Sequence, residues 1–361
     1  MDSTTALTAL NHALTVNVPV ILWGPPGIGK TDRITQLANE LGWPLITVLA
    51  SIRQPDDFAG LPWIHNGGVT MVPPDWGRTL SKIEGPAILF FDEISSTSNA
   101  TQAALLRVVL ERVVGDLKLP KGVRVVAAAN PPEQAAGGWD LARPLANRFT
   151  HIEWPAPNAQ EWVVWLSHQR DIHPAARGLI AAFITRRPEL LLQLPDSEVK
   201  GGRAWASPRS WAMAASLMGD RSSSPAVEMA LMSGCVGDAV CLELVTWLES
   251  AGQLPNPEDL LADPSSWDPP EDRLDLLFAT LHGVSLAAIS RMEPARWKAV
   301  WEVLERAADV AADAVLASGF LLSKERARLE VTGEIAVGDY PAPLWLGTAA
   351  STIRELNEAL R

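Results

Sequence analysis

The octapeptide Gly24-Pro25-Pro26-Gly27-Ile28-Gly29-Lys30-Thr31 fits the pattern G-x-x-x-x-G-K-[ST]. That spacing suits one kind of chemistry. Glycines let the backbone curl until several N–H groups face one point, and the resulting concavity holds an anion. A helix starting at Lys30 would add the positive end of its dipole there. Lys30 would reach the β- and γ-phosphates of a nucleotide, and Thr31 would ligate Mg²⁺. Farther on, Ile88-Leu89-Phe90-Phe91-Asp92-Glu93 is an apolar run that ends in two acids. Such a run places carboxylates at the carboxyl edge of a parallel sheet, where ligands bind. Asp92 would then hold Mg²⁺ through water, and Glu93 would polarise an attacking water as general base. Together the two runs predict a site that binds ATP with Mg²⁺ and hydrolyses it.

Other chemistry has less support. The six histidines show no zinc spacing, and His168 and His173 are not four apart. Ser51 and the scattered histidines form no recognisable hydrolase triad. Trp23, directly before the glycine loop, is read as a packed indole with adenine contact as the alternative. Trp162, Trp165, Trp205, Trp211 and Trp247 are read as packing.

These residues need elements to position them. Thr4 to Leu14 reads as an amphipathic helix and Val18 to Trp23 as a buried strand. A helix follows from Lys30 to about Leu41, then a strand from Leu45 to Leu49. Residues 53–85 read as Pro-, Gly- and Trp-rich loops, with a small hairpin around Trp63 and Val69–Val72. Ala87 to Phe91 is a third strand, Thr101 to Arg112 a helix, Val123 to Ala129 a fourth strand and Phe149 to Trp154 a fifth. Strands alternating with helices predict an α/β core with a parallel sheet covered on both faces. After Trp154-Pro155-Ala156-Pro157 helical periodicity dominates to about 262. The turn-rich stretch 263–270 interrupts it, 271–325 is helical again, and 340–361 holds a turn-rich segment and a final short helix. The expected division is 1–155 for the nucleotide-binding core, 156–262 for a helical lid and 263–361 for a helical C-terminal extension.

Bulk composition narrows the class. Of 361 residues, 47% are hydrophobic and 20% charged, so the chain folds rather than staying disordered. A net charge of −12 argues against a dedicated DNA-wrapping protein. Cys235 and Cys241 are read as lying in one helical stretch on different faces, hence as free thiols suited to a reducing cytosol. No signal peptide and no membrane span is read, and a cytoplasmic location is expected.

The motifs in order resemble an AAA+ ATPase. The resemblance implies a P-loop NTPase core with a five-stranded parallel sheet flanked by helices, plus an α-helical lid. It assigns Gly24 to Thr31 to Walker A, and Asp92 and Glu93 to Walker B. Asn130, in Ala127-Ala128-Ala129-Asn130-Pro131, resembles sensor 1, which positions the catalytic water; a plain strand-ending turn is the alternative. Asn147-Arg148-Phe149 resembles the motif whose arginine reaches a neighbouring subunit's γ-phosphate; a solvated arginine is the alternative. Ser207-Pro208-Arg209 resembles sensor 2, with Arg209 acting in cis or in trans, or else capping or pairing on the lid.

Within AAA+, the chain resembles the MoxR branch of the helix-2-insert clade. The carrying stretches are Gln54-Pro55-Asp56-Asp57-Phe58-Ala59-Gly60, Val72-Pro73-Pro74-Asp75-Trp76, and Ala104-Leu105-Leu106 followed by Glu111-Arg112, Gly115 and Leu119-Pro120. Arg107 and Arg112 are open between a subunit boundary and a salt-bridged surface. Lys118, Lys121 and Arg124 are read as a solvated hairpin, with pore lining as the alternative. The resemblance implies a homo-oligomeric ring, most often a hexamer. It also implies a chaperone that remodels a protein substrate together with a von Willebrand A-domain partner. A nucleotide-controlled assembly switch and a nucleic-acid motor are the alternatives, the latter disfavoured by the acidic charge.

Overall fold

The computed structural model describes residues 1–343 apart from 66, 132–133, 135–139, 196–201, 219–223 and 252–254. The chain divides into two compact units, Met1–Pro157 and Asn158–Arg361.

The first unit runs α1 (Ser3–Val16), β1 (Val20–Trp23), α2 (Lys30–Leu41), β2 (Leu45–Leu49), α3 (Asp56–Ala59), β3 (Leu61–His65), β4 (Gly68–Val72), α4 (Asp75–Ser81), β5 (Ala87–Asp92), α5 (Asn99–Glu111), β6 (Val113–Val114), β7 (Leu117–Lys118), β8 (Val123–Ala129), α6 (Arg143–Ala146) and β9 (Thr150–Glu153). Five strands form one sheet in the order β2-β5-β8-β1-β9, and every pairing in it is parallel. Ala87 to Phe91 of β5 are all buried, as a strand covered on both faces requires. One face packs Ile21, Leu89, Phe91, Val125 and Ala127 against Leu105 and Val108 of α5 and against Phe149. This is the expected α/β architecture of an AAA+ P-loop core.

Helix ends follow local chemistry. Asp2 caps α1 by accepting from the Thr5 N–H, and Ser98 caps α5 by accepting from the Thr101 N–H. Gly42 at φ 65 ends α2 in the left-handed conformation that glycine adopts at little cost.

The stretch 53–85 holds more structure than its composition suggests. The expected hairpin is there, pairing Trp63 with Thr70 and Ile64 with Val69, and the short helices α3 and α4 add to it. Helix α4 is only seven residues long, too short for periodicity to reveal it. It exists because Trp76 and Leu80, one turn apart, are buried. The β3–β4 hairpin interlocks with the shorter β6–β7 hairpin. The Met71 N–H donates to Asp116 Oδ2 at 2.7 Å, and the Asp116 N–H donates to the Met71 carbonyl at 3.0 Å. A Cβ on Gly60 would stand 2.8 Å from Gly115 Cα, and one on Gly115 would stand 2.4 Å from the Met71 oxygen. Both glycines also hold positive φ, so no side chain fits at either.

Arg112 does not face outward. It ends α5 at φ 57, and its guanidinium donates to the Val123 carbonyl and to Asn17 Oδ1. Burial pulls its pKa down, and the Arg124 charge adds to that. Arg124 donates to the Leu14 carbonyl and lies over the Trp43 ring, which ties it to α1 rather than to a pore. Arg107 bridges to Glu111 on the surface.

The second unit is helical: α7 (Ala159–Ser167), α8 (Pro174–Arg186), α9 (Pro208–Met218), α10 (Pro225–Val236), α11 (Asp238–Ala251), α12 (Pro257–Ala262), α13 (Leu274–Ser290), α14 (Pro294–Arg306) and α15 (Ala312–Val331). A capping box at Asn158 and Glu161 opens α7. One apolar core joins Trp162, Ile180, Trp211, Leu244, Leu281, Trp297 and Leu322, so the stretches on either side of residue 262 share it. The Trp162 and Trp211 indoles donate to the Pro208 and Leu190 carbonyls, which satisfies their one polar atom inside the core. Cys235 and Cys241 are not in one helix: Gly237, at φ 88, separates α10 from α11. Both thiols are buried and free, and burial pushes both pKa values up. The final short helix expected near the C-terminus falls on 344–361, outside the described residues. No helix among the described residues is long and apolar enough to cross a membrane.

Candidate functional site

The sheet order decides what meets what. Strand β8 lies between β5 and β1, so the chain leaves three adjacent parallel strands at one edge. At that edge β1 runs into the glycine loop, β5 ends in Asp92, and β8 runs into Asn130.

The loop is anchored at its start. The Gly24 N–H donates to the Ala129 carbonyl at 3.2 Å, and a Cβ on Gly24 would stand 2.6 Å from the Trp154 oxygen. Gly27 and Gly29 hold φ 79 and 88, the positive values that turn backbone N–H groups inward. Gly29 directly precedes α2, and a Cβ there would meet nothing within 4 Å. The loop therefore leaves space at a helix N-terminus, where a phosphate fits.

Lys30 is buried, and its ammonium donates to the Gly24 carbonyl at 2.6 Å, to the Pro25 carbonyl at 2.9 Å and to Asn130 Oδ1 at 2.9 Å. The lysine thus bridges the loop to the end of β8. The Thr31 hydroxyl donates to Asp92 Oδ2 at 2.6 Å, which brings the two predicted Mg²⁺ ligands into direct contact. An oxygen pair of this kind suits Mg²⁺, which takes one or two protein oxygens and keeps several waters.

Glu93 is exposed beside them, at φ 56. A positive φ is uncommon for any residue but glycine and tends to gather at functional positions. The Glu93 N–H donates to Asp92 Oδ1 at 3.0 Å. Its carboxylate accepts from the Ser51 hydroxyl at 2.7 Å. Asn130 is fixed from behind: its N–H donates to Ser95 Oγ at 3.1 Å, and the Ser95 hydroxyl donates to its carbonyl at 3.3 Å. Ser51 and Ser95 had no signal in the sequence. Serines are common, and only the β2–β5–β8 order brings these two to Glu93 and Asn130.

Trp23 is engaged by its neighbour on β9. Its indole N–H donates to His151 Nδ1 at 2.9 Å and the rings stack at 5.9 Å. His151 Nε2 faces the Ala146 carbonyl at 2.9 Å. A carbonyl only accepts, so Nε2 carries the proton and Nδ1 is the acceptor. The indole is a packed group, in line with the reading from the sequence.

Arg148 stands apart from this cluster. It precedes β9, at the edge of the sheet, and Val20 pairs in parallel with Thr150. Arg148 is therefore at the amino end of the strands and the glycine loop at the carboxyl end. The length of β1 alone is about 13 Å at ~3.3 Å per residue. Phe149 is buried and Arg148 exposed, so the turn is pinned by one residue and presents the next. Its guanidinium has no polar partner among the described residues. Arg209 belongs to the second unit, where it is exposed in the first turn of α9.

Residues 20–154 match the family model described as ATPase family associated with various cellular activities (AAA). Curated relatives include the Holliday junction branch migration complex subunit RuvB of Synechococcus sp. (strain WH7803), 33% identical over 141 residues, covering 37% of this chain and 33% of that protein. Midasin from Giardia intestinalis is 23% identical over 158 residues, covering 42% of this chain and 3% of midasin. The chain spans about a third of the length of the RuvB relatives it matches. Among solved structures, the Thermotoga maritima RuvB Holliday junction branch migration motor aligns with a TM-score of 0.36 at 17% identity, covering 82% of this chain and 85% of that one. NtrX from Brucella abortus aligns with a TM-score of 0.34 at 17% identity, covering 69% of each. Residues 20–154 are thus an AAA ATPase domain, a module that hydrolyses ATP with Mg²⁺.

Proposed function

We propose that this chain, built on an AAA ATPase domain at residues 20–154, is a MoxR-like AAA+ chaperone. In this reading it works in the cytosol as a homo-oligomeric ring and uses ATP hydrolysis to remodel or activate a partner protein, together with a von Willebrand A-domain protein. The observation that carries the catalytic part is the meeting of Lys30, Thr31, Asp92, Glu93 and Asn130 at one sheet edge.

The residues divide the work. Loop N–H groups and Lys30 hold the phosphates, and Lys30 exchanges carbonyl acceptors for phosphate oxygens when nucleotide binds. Thr31 and Asp92 hold Mg²⁺, which neutralises charge on the phosphates. Glu93 takes the proton of the attacking water, and Ser51 orients its carboxylate. Asn130, held by Ser95, aligns that water. The arginine that steadies charge on the transferred phosphoryl group is Arg148 of a neighbouring copy, since its own loop lies at the other end of the strands. Arg209 supplies a further cation from the lid, taken as 156–262, and 263–361 extends the lid. Favouring the MoxR branch is the lock between the β3–β4 and β6–β7 hairpins, whose glycines Gly60 and Gly115 fall in two of the three stretches that carry that resemblance.

A second reading has its own observation. The RuvB relative named above aligns with this chain over 141 residues at 33% identity and is a subunit of a Holliday junction branch migration complex. A nucleic-acid motor is therefore the alternative, with the net charge of −12 against it. Steady-state ATP turnover separates the two. The chaperone reading expects stimulation by a von Willebrand A-domain protein encoded beside this chain and none by branched or linear DNA. Stimulation by DNA alone would replace it with the motor reading. Nucleotide binding tests the site itself: Lys30→Ala should lose ATP affinity by at least about a hundredfold, and retained affinity would refute the assigned loop.

A further inference from the structure

The turn that presents Arg148 is built on one carbonyl. Helix α6, just before it, has four residues, Arg143–Ala146, and a helix that short does not hold itself. Side chains from neighbouring elements grip both of its ends. At the front, the Ala142 N–H donates at 2.7 Å to Oε1 of Gln102, a fully buried residue of α5. At the back, the Ala146 carbonyl accepts twice. One donor is the Phe149 N–H at 3.2 Å, which closes the turn 146–149. The other is His151 Nε2 of β9 at 2.9 Å. Leu145 and Phe149 are buried in the core of the first unit, and Arg148 between them is exposed.

His151 is itself fixed. Its Nδ1 accepts from the Trp23 indole N–H at 2.9 Å, and the two rings stack. That bond keeps the proton off Nδ1 and on Nε2, where the Ala146 carbonyl receives it. Trp23 has little freedom of its own: it ends β1 directly before Gly24, and its carbonyl accepts from the Trp154 N–H at 2.6 Å. The imidazole is therefore a strut between two strands and the carbonyl that closes the arginine's turn.

We propose that His151 is a positioning residue for Arg148. It sets the turn 146–149 and with it the point that the guanidinium reaches on a neighbouring copy. It acts through that arginine and touches no nucleotide. The proposal rests on the reading of Arg148 as the arginine that completes a neighbour's site. Misplacing such a group by about 1 Å costs rate steeply. The cost falls on the neighbour's site and not on the site of the chain that carries His151.

That direction is what the experiment reads. Full-length chains, each inactive alone, are mixed with subunit exchange shown by a fluorescent label. In the reference mixture Arg148→Ala chains supply the working sites and Glu93→Gln chains supply the arginine. His151→Phe, which keeps a ring but donates nothing, is then placed on one side or the other. On the Glu93→Gln chain it should lower the recovered kcat about fivefold, the effect of one lost hydrogen bond, with KM for ATP unchanged. On the Arg148→Ala chain it should leave the recovery as it was. His151→Gln on the Glu93→Gln chain should restore the reference value, since its amide both donates to a carbonyl and accepts from an indole. Equal loss from either side, no loss from the arginine-supplying side, or a Gln variant as weak as Phe would overturn the role of His151 and leave the shared site standing. No recovery in the reference mixture would refute the shared site itself, and the role of His151 with it.

Discussion

At the scale of single residues, Glu93 carries the most consequence. Its carboxylate is exposed, its backbone is left-handed, and a serine hydroxyl holds one of its oxygens. Ser51→Ala removes one hydrogen bond to a charged group, worth about 1 kcal/mol or more in orientation. Turnover should fall about fivefold while ATP affinity holds, measured as kcat against KM. An unchanged kcat would show that Ser51 does not position Glu93. Gly24 gives a sharper test of the loop. Its missing Cβ would stand 2.6 Å from a backbone oxygen, which cannot move without displacing β9. Gly24→Ala should lower the melting temperature of the first unit and weaken ATP binding together. The sequence singled out Lys30, Thr31, Asp92 and Glu93 by the residue types and spacing that phosphate chemistry needs, and Asn130 only through the family resemblance. It did not single out Ser51 and Ser95, because a serine hydroxyl acquires a role only from what the fold sets beside it.

At the scale of elements, the parallel sheet was readable from apolar runs that alternate with helical stretches; β2 and β8 fall where expected, and the ends of the other three strands differ by at most two residues. The interval between β2 and β5 was harder. Its hairpin was read from the sequence, but α3 and α4 were not, and α4 is held by tertiary burial of Trp76 and Leu80 rather than by propensity. In the second unit, the joint between α7 and α15 makes a pH-dependent tie. His168 Nδ1 faces the Val164 carbonyl at 2.7 Å and Nε2 faces Glu325 Oε2 at 2.7 Å. Both partners accept, so the ring donates from both nitrogens and is the imidazolium. The hydrogen bond to Glu325 accordingly raises the His168 pKa, against the opposing pull of burial. Burial would raise the Glu325 pKa, but hydrogen bonds from His168 and Arg328 outweigh it and leave the value at about 2. The signs then define a window. The His168 contribution is complete below the ordinary histidine pKa and is lost as pH rises through the raised value. The Glu325 contribution is complete above the ordinary glutamate pKa and is lost as pH falls toward 2. Near pH 5.5 both hold. His168→Gln should therefore cost about 2 kcal/mol there and progressively less as pH is raised past the wild-type titration. Thermal melts of both proteins across pH 5 to 9 would check it. A pH-independent difference would mean that the tie is not ionic.

At the scale of the whole molecule, the chain carries one AAA domain and one helical unit. The sequence signalled the first through ordered motifs. It signalled only helicity for the second, because a packed helical core constrains apolar spacing and not residue identity, and one core spans both stretches that turn-rich 263–270 divides. The parallel sheet has a consequence at this scale. Arg148 and the glycine loop sit at opposite ends of β1 and β9, so a site that needs this arginine needs a second copy of the chain. Arg148→Ala keeps its own loop, Asp92 and Glu93 but offers no arginine to its neighbour. Glu93→Gln binds ATP and offers Arg148 but cannot activate water. Each variant alone should turn over ATP at least about a hundredfold more slowly than wild type. The decisive measurement is ATPase activity after the two inactive variants are mixed under conditions that allow subunits to exchange. Recovery of turnover in the mixture, from Arg148→Ala sites completed by the arginine of Glu93→Gln neighbours, is the result expected. A mixture as inactive as its parts, when subunit exchange is shown by a fluorescent label, would contradict a shared site.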